Sequence, residues 1–436
     1  METLEAARIL MATSLGFHIV FACIGMVMPF FMVVAHYKWI KTADIIYLDL
    51  TKAWQKGLAI FFVTGAVSGT VLSFELGLLW PGFMKHAGPI IGMPFSLEGA
   101  AFFVEALAFG FYMYGWKKIS NKWFHWLSGL LVGIAGLSSG ILVVSANAWM
   151  NAPSGFDYSN GIFSNIDPLK AFLNPAWFSQ ALHMCLAAFM ATGFAVAGIH
   201  AFQIFKGKRA DHHKKAFKIS IAFAVIAAFL QPISGDLSAK DIAVRQPVKL
   251  AAMEAHYHSQ KSAPLYIGGI VDEEKGEVNY KIEIPGALSF LSFGDFNAEV
   301  KGLNDFPRDE HPPVAITHYC FQIMVGIGGL LLCISVFYLL SLRFKNWANN
   351  NWYWKIFALL GPLGFIALEA GWIVTEVGRQ PWIIHKIMKT ADAVSPMSGI
   401  VYNTIIFILV YIVLSLAIIW LMKRQLKAFN SLDLKK

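Results

Sequence analysis

The sequence predicts an all-α polytopic membrane protein, and three observations support this prediction. Of its 436 residues, 57% are hydrophobic and only 14% are charged, whereas soluble globular proteins carry roughly a quarter charged residues. The mean hydropathy is +0.56. Nine segments are mostly apolar over the roughly 20 residues that cross a bilayer: 11–35, 57–80, 93–115, 125–149, 176–204, 216–233, 314–342, 355–376 and 398–422. This composition excludes disordered chains, coiled coils and disulfide scaffolds.

The connections between these segments differ sharply in basic charge from one side to the other. One set holds 21 Lys and Arg residues, within 38–56, 117–122, 206–218, 343–355 and 423–436. The short connections of the other set hold only six. The positive-inside rule therefore predicts an external N-terminus and a cytoplasmic C-terminus, as an odd number of helices requires. The net charge of +8 is explained by membrane orientation and does not indicate a nucleic-acid partner.

One long segment, about 234–313, is expected outside the membrane and divides the chain into 1–233, 234–313 and 314–436. It holds 13 of the 27 acidic residues. Residues 246–258 follow the start pattern of a helix, and 278–284 alternate like a strand, so we expect this loop to be ordered. We expect His256 and His258 in this loop, and His212 and His213 in a cytoplasmic basic cluster, to face water.

Five carboxylates lie within apolar segments, where a charge is costly and therefore a functional candidate: Glu75, Glu98, Glu105, Glu369 and Glu376. Glu98 and Glu105 are seven residues apart and share one helix face, and Glu369 and Glu376 repeat this spacing. Such carboxylate ladders indicate a proton path or a charged cofactor. The alternative is that packing partners satisfy them.

Four side chains that can bind iron are predicted at one depth near the outer face: His18, His183, Met324 and Glu376. A His/Met pair is a known ligand set of low-spin haem, although a lone intramembrane His or Met more often serves packing or a hydrogen bond. The residues alone therefore indicate a redox or proton-coupled membrane protein.

Two sequence motifs make the chain recognisable. Gly371–Trp382, GWIVTEVGRQPW, resembles the GWxxxExGRQPW signature of cytochrome bd-type quinol oxidase subunit I, and Gln246–Ala255, QPVKLAAMEA, resembles its quinol-loop motif. The resemblance continues in order through further motifs: Arg8 with His18, Leu97-Glu98-Gly99 with Glu105, Asn147-Ala148-Trp149-Met150, His183, and Ile323-Met324-Val325-Gly326. It covers essentially the whole chain and is similar to the short-loop type of the family.

The resemblance implies three haems and assigns residues to them. His183 and Met324 match the ligands of a low-spin haem b. His18 and Glu376 match the ligands of two high-spin haems, a haem b and either a haem d or a further haem b, without fixing which residue serves which. Glu98 matches a carboxylate beside the oxygen-reducing haem, and Glu105 a proton-path or propionate neighbour. Arg8, Trp372 and Arg379 lie in the matching motifs and are expected beside the cofactors.

The same resemblance implies a function. Quinol would be oxidised at the external loop by a site that includes Lys249 and Glu254, and O2 would be reduced to water with cytoplasmic protons, without pumping. Glu254 is expected to act as a proton acceptor, and Lys249 to keep it ionised or to steady a ring oxygen of the quinol. The expected partners are subunit II, small single-helix subunits and membrane lipid, and the expected location is the prokaryotic plasma (inner) membrane. A proton-coupled secondary transporter and a haem-b electron-transfer subunit are the alternatives.

Two residues depart from the pattern of the family. Gln322 stands where many members carry Arg, which affects the charge near the low-spin haem. Glu75 is an acid where an amide is common, which adds a carboxylate to the possible proton path.

Overall fold

The structure is a computed structural model, and it describes residues 3–431 except 160, 209 and 398. Three basic residues counted above, at 209, 435 and 436, therefore lie outside the described part. Fourteen helices follow in chain order: α1 (Thr3–Thr42), α2 (Ile45–Leu79), α3 (Pro81–Tyr114), α4 (Lys122–Asn151), α5 (Pro168–Phe172), α6 (Trp177–Phe205), α7 (Ala210–Arg245), α8 (Pro247–Met253), α9 (Ala287–Phe293), α10 (Val314–Arg343), α11 (Asn351–Leu360), α12 (Leu363–Val377), α13 (Thr390–Ala393) and α14 (Ile400–Asn430).

Nine spans in this part of the chain are long and apolar enough to cross a membrane, as the sequence predicts. They are α1, α2, α3, α4, α6, α7, α10, the α11–α12 pair and α14. The eighth span is interrupted at Gly361, where a Cβ added to Gly198 of α6 would lie 2.8 Å from the Gly361 Cα. Small residues at such contacts let helix backbones approach closely within a membrane.

Helix α7 continues to Arg245, well beyond the predicted end at 233. Two ion pairs stabilise this polar extension, and each joins residues one helical turn apart. Lys240 Nζ lies 2.7 Å from Asp236 Oδ2, and Arg245 Nη2 lies 2.5 Å from Asp241 Oδ1. The predicted span ends at 233 because it follows the apolar run alone, and the helix continues past that run. The segment that follows α7 begins at 246.

Helix α1 forms the centre of the bundle and contacts α2, α4, α6, α12 and α14. Its buried side chains, including Phe31 and Met32, pack with Leu50 and Leu58 of α2 in the largest apolar cluster. A second cluster lies near the other end of the bundle around Trp149.

The segment 246–313 folds into short hairpins on the end of the bundle. It holds six strands, namely β3 (Gln260–Lys261), β4 (Leu265–Ile267), β5 (Ile270–Asp272), β6 (Glu277–Asn279), β7 (Ile282–Ile284) and β8 (Glu299–Val300); β1 (Asp157–Ser159) and β2 (Ile162–Ser164) precede it and β9 (Trp382–Ile384) and β10 (Met388–Lys389) follow. The pairs β1–β2, β3–β8, β4–β7, β5–β6 and β9–β10 are antiparallel.

The single strand predicted over 278–284 is in fact two strands of different hairpins. Tyr280 has a φ of +58°, a left-handed conformation that ends β6 before β7 begins. The predicted helix over 246–258 is present as α8 but ends at Met253.

Three connections and the N-terminal turn meet at one end of the bundle. Gln246 Nε2 donates to the Asn151 carbonyl oxygen at 2.9 Å, and the His385 amide donates to the Met150 carbonyl oxygen at 2.9 Å. Arg8 of α1 donates to the Gln380 side chain. These contacts bring together, at one end of the bundle, the connections that the sequence assigns to one side of the membrane. That this end is the external one stays a prediction.

Three of the four histidines expected to face water do not. His213 is fully buried and its Nδ1 lies 2.7 Å from Nδ1 of His200, while His212 Nε2 lies 3.2 Å from Asp49 Oδ2. His256 is 1% exposed because the hairpins cover the end of α8, and only His258 is exposed.

Candidate functional site

The two candidate histidines, His18 and His183, are held in the same way by a serine on the neighbouring helix. His18 Nδ1 lies 2.9 Å from Ser68 Oγ, and His183 Nδ1 lies 3.0 Å from Ser234 Oγ. Each serine hydroxyl donates to a carbonyl of its own helix, Ser68 to Thr64 at 2.8 Å and Ser234 to Gln231 at 2.9 Å. Each serine oxygen is therefore the acceptor, and each histidine carries its proton on Nδ1.

This tautomer leaves Nε2 of both rings with a lone pair that can bind a metal. Hydrogen bonds to the second ring nitrogen orient histidine ligands and fix the tautomer in metal sites. Beside His183, the amide nitrogen of Gln231 lies 3.2 Å from Nε2. Beside His18, a Cβ on Gly69 would lie 3.0 Å from the ring Cε1, so only glycine leaves room for the imidazole.

Met324 of α10 lies against α12 at a glycine. A Cβ on Gly371, the first residue of the motif, would lie 2.9 Å from the Met324 sulfur. Gln322, which departs from the pattern of the family, contacts the segment 246–313. Its Nε2 donates to the Tyr266 carbonyl oxygen at 2.8 Å, and its Oε1 accepts from the Gly268 amide at 3.3 Å.

Glu376, near the end of α12, is engaged at both carboxylate oxygens. Its Oε1 accepts from Asn147 of α4, and its Oε2 accepts from Arg379 Nη2 at 2.6 Å. Arg379 is 4% exposed, and its Nε and Nη1 have no partner among the described residues. A buried guanidinium with unused donors indicates an anionic group at this position. Trp372, one turn before Glu376, packs against the apolar cluster around α1.

Lys249 of α8 is buried beside this motif. Its Nζ donates to the Thr375 carbonyl oxygen at 3.1 Å and lies 3.5 Å from Asn151 Oδ1. Burial and the nearby Arg379 charge lower the pKa of Lys249 to about 7. A small cavity here is also lined by Gln380 and His385. Burial together with the nearby Lys386 charge lowers the pKa of His385 to about 4.

Glu254 follows α8 and is fully buried, with neither carboxylate oxygen hydrogen-bonded among the described residues. Burial raises the pKa of Glu254 to about 8. No described hydrogen bond or ion pair joins it to Lys249, whose ammonium points to Thr375. The two side chains leave the short helix toward different surroundings, as expected for residues on different sides of one site. The role of Lys249, to keep Glu254 ionised or to steady a ring oxygen of the quinol, stays a prediction.

The predicted carboxylate ladder of α3 faces α4. Ser139 Oγ donates to Glu98 Oε1 at 3.1 Å, and a Cβ on Gly136 would lie 3.0 Å from Glu105 Oε1. Both carboxylates therefore lie on one face, in the seam between two helices.

The other two intramembrane acids face α1. A Cβ on Gly16 would lie 3.3 Å from Glu369 Oε2. Glu75 of α2 accepts from Ser14 Oγ at 2.8 Å, and Ser14 in turn accepts from the Tyr411 hydroxyl of α14 at 3.0 Å. Glu75 Oε2 and Glu369 Oε1 are buried without a partner in the described part of the chain.

Sequence reasoning missed the residues that orient the candidate ligands, namely Ser68, Ser234, Gln231 and Asn151. A serine in an apolar helix carries no signal of its own, and its histidine partner lies about 50 positions away in the chain. Asn147, which belongs to one of the matching motifs, donates to Glu376.

These residues fit haem. Porphyrin supplies four iron ligands, so one or two protein side chains with free lone pairs suffice, as on His18, His183 and Met324. Haem also carries two propionates, which suit the unused donors of Arg379. No cluster of three or more His, Cys, Asp and Glu residues that could hold a bare metal ion occurs in the described residues.

Comparison with known proteins places the chain. The family model for cytochrome bd terminal oxidase subunit I matches residues 6–429. The chain belongs to this family.

The relatives of this subunit I chain cover nearly its whole length. It is 36% identical to a Bacillus subtilis protein provisionally named a cytochrome bd menaquinol oxidase subunit I, covering 97% of this chain and 96% of that protein. It is 25% identical to the cytochrome bd-II ubiquinol oxidase subunit 1 of Escherichia coli, with the same two coverages. The solved bd oxidase of Geobacillus thermodenitrificans matches with a TM-score of 0.93 and 38% identity over 98% of this chain and 99% of that one.

Family membership confirms the predicted architecture and enzyme class, a quinol:oxygen oxidoreductase subunit that spans the membrane many times. It leaves no support for the two alternatives, a secondary transporter and a haem-b subunit without oxygen chemistry.

Proposed function

We propose that this chain is the haem-bearing subunit of a respiratory terminal oxidase that oxidises quinol at its external segment and reduces O2 to water. The observation that carries the proposal is the pair of intramembrane histidines whose Nδ1 is bound to a serine, which leaves the lone pair on Nε2. Such preorganised imidazoles serve metal ligation, and two of them on separate helices indicate two haem positions.

His183 and Met324 are the candidate ligands of a low-spin haem b, and His18 and Glu376 those of two high-spin haems. The high-spin haems are one haem b and either a haem d or a second haem b. Haem supplies one-electron transfer and oxygen binding. The protein orients the ring nitrogens through Ser68 and Ser234, and Arg379 is placed to neutralise a propionate.

On the quinol side, Glu254 is the candidate acceptor of a quinol proton. A general base must be close to the proton that it takes, and its pKa should lie near the operating pH. The pKa of about 8 meets the second condition. Lys249 orients the substrate or a propionate through its ammonium and is held by Thr375.

On the oxygen side, Glu98 and Glu105 are the candidate proton path. Their position on one face in the α3–α4 seam supports a polar route between these two helices. The proposed route delivers cytoplasmic protons, and no pump is needed. Protons consumed from one side and released to the other then generate a proton motive force.

The proposed setting is the plasma (inner) membrane of a prokaryote, with the N-terminus outside. The proposed partners are subunit II in a heterodimer, small single-helix subunits and membrane lipid. The family supports a complex with subunit II.

The test is an absorption spectrum and an oxygen-uptake assay on the purified complex. We expect three haems per complex, low- and high-spin signals after dithionite reduction, and quinol-driven uptake. A colourless preparation from haem-replete cells would contradict the proposal.

Replacing Met324 by Leu tests the ligand assignment directly. Leucine cannot donate to iron, so the low-spin signal should become high-spin. The reduced spectrum checks this, with Met113→Leu as a control on a partly buried methionine of α3. An unchanged low-spin signal in Met324→Leu rules the ligand out.

A further inference from the structure

His318 is a buried histidine near the start of α10 that no motif above includes. Its side chain has no exposed surface, and its Nδ1 lies 2.8 Å from the Met253 carbonyl oxygen. A carbonyl oxygen only accepts, so Nδ1 carries the proton and Nε2 of the neutral ring carries a lone pair. That Nε2 is buried and has no hydrogen-bond partner among the described residues.

The carbonyl that holds His318 belongs to the peptide that joins Met253 to Glu254. Both oxygens of Glu254 are also buried and unpartnered. One hydrogen bond therefore joins the His318 ring to the residue before Glu254. Both His318 and Glu254 have buried acceptor atoms that no described donor reaches. Leaving a buried polar atom unpaired destabilises the fold, so such a group of acceptors indicates that a donor binds here.

The buried cation of α8 does not supply this donor. Lys249, five residues before Glu254, directs its ammonium to the Thr375 carbonyl oxygen. What the two acceptors lack is a molecule with two hydroxyl donors, and quinol has two. One carboxylate can accept one proton, whereas complete oxidation of a quinol releases two.

We propose that His318 is the second proton acceptor of the quinol site, beside Glu254. This inference rests on the proposed function. Quinol loses two electrons and two protons: the electrons leave to haem iron, one proton goes to the Glu254 carboxylate, and the other goes to His318 Nε2. The imidazolium formed keeps its Nδ1–H bond to the Met253 carbonyl, and this bond strengthens when the donor becomes charged.

Two substitutions separate the acceptor from the anchor. In His318→Asn, the amide nitrogen stands near the position of Nδ1 and keeps the bond to the Met253 carbonyl, while Nε2 is lost. In His318→Gln, a polar group reaches the position of Nε2 but cannot take a proton at neutral pH. His258→Asn, on an exposed loop histidine, is the matched control.

The measurement is oxygen uptake by the purified complex, driven by a short-chain quinol and, separately, by an artificial donor that reduces the haems directly. Loss of a general base typically costs 10²–10⁴-fold. We expect at least about a tenfold fall in quinol-driven kcat for both His318 variants, with KM little changed, wild-type uptake with the artificial donor, and wild-type behaviour of His258→Asn.

Wild-type quinol kcat in His318→Asn overturns the inference, because it shows that only the anchor matters. An equal fall with both donors also overturns it, in favour of a structural role. Glu254→Gln, assayed alongside, separates the two proposals. If Glu254→Gln keeps full quinol activity while His318→Asn loses it, Glu254 is not a proton acceptor and the proposal for His318 is supported. If Glu254→Gln loses the activity while His318→Asn keeps it, only the proposal for His318 is overturned.

Discussion

At the scale of single residues, two serine hydroxyls determine which ring nitrogen of each candidate ligand is free. Replacing Ser234 by Ala removes the acceptor of the His183 Nδ1 proton, so the ring can turn or change tautomer. Loss of such a supporting bond typically costs 10–100-fold in metal affinity or activity. We expect Ser234→Ala to lose low-spin haem b, measured by the reduced spectrum and by haem content.

The control is Ser238→Ala on the same helix, because Ser238 Oγ bonds only to the Ser234 backbone carbonyl, at 2.9 Å. Ser68→Ala should lower a high-spin signal instead. If Ser234→Ala and Ser238→Ala give the same haem content, the serine does not orient His183.

A second residue-scale prediction follows from the raised pKa of Glu254. Only its ionised form can accept a quinol proton, and with a pKa of about 8 about a tenth is ionised at pH 7. Quinol-driven uptake should therefore rise between pH 6 and about 8, while uptake with an artificial donor should lack this rise. Parallel pH profiles for both donors would contradict it.

The same shift has a consequence for stability. The folded state favours neutral Glu254, so raising the pH from the ordinary glutamate pKa of 4.5 to about 8 destabilises the wild type, by about 1.4 kcal/mol per unit. Glu254→Gln removes this dependence. The melting temperature of the variant minus that of the wild type should be larger at pH 8 than at pH 5. Haem content is the control for assembly. An equal difference at both pH values would contradict this.

At the scale of helices and strands, apolar length predicts spans well and their polar ends poorly. The sixth apolar span ends at 233 because residues from Asp236 onward are charged, yet ion pairs between residues one turn apart continue the helix α7 to Arg245. Alternation predicted a strand over 278–284, but it cannot reveal the left-handed Tyr280 that divides it. Long-range contacts and special backbone conformations carry no periodic signal.

The contact between α10 and α12 gives an element-scale prediction. A methyl group at position 371 would lie 2.9 Å from the Met324 sulfur, closer than atoms pack, so Gly371→Ala should displace the thioether from iron. We expect a weakened low-spin signal with retained high-spin haem. Gly329→Ala on α10 is the matched control, because its Cβ would meet nothing within 4 Å. Equal spectra for the two variants would show that Met324 is not the ligand.

At the scale of the whole molecule, the sequence predicts the class of protein and the charged residues whose burial in the membrane is costly. It does not predict which of these residues lie together. Glu98 and Glu105 follow from spacing, since one helix face is a local property. The burial of His318 and the separation of Lys249 from Glu254 depend on how the segment 246–313 folds onto α10 and α12. Such contacts between distant segments cannot be deduced from one sequence.

The membrane orientation is the last prediction and concerns the entire chain. Basic connections lie at one end of the bundle, and insertion retains such connections in the cytoplasm, so the hairpin segment 246–313 should be external. Tyr280→Cys, at a site that is 91% exposed in that segment, should react in intact cells with a membrane-impermeant maleimide. Lys118→Cys, at the opposite end, should react only after permeabilisation. The unsubstituted chain, whose four cysteines all lie within helices, gives the background. Labelling of position 118 but not 280 in intact cells would reverse the orientation and place quinol oxidation on the cytoplasmic side, where it could not release protons outward.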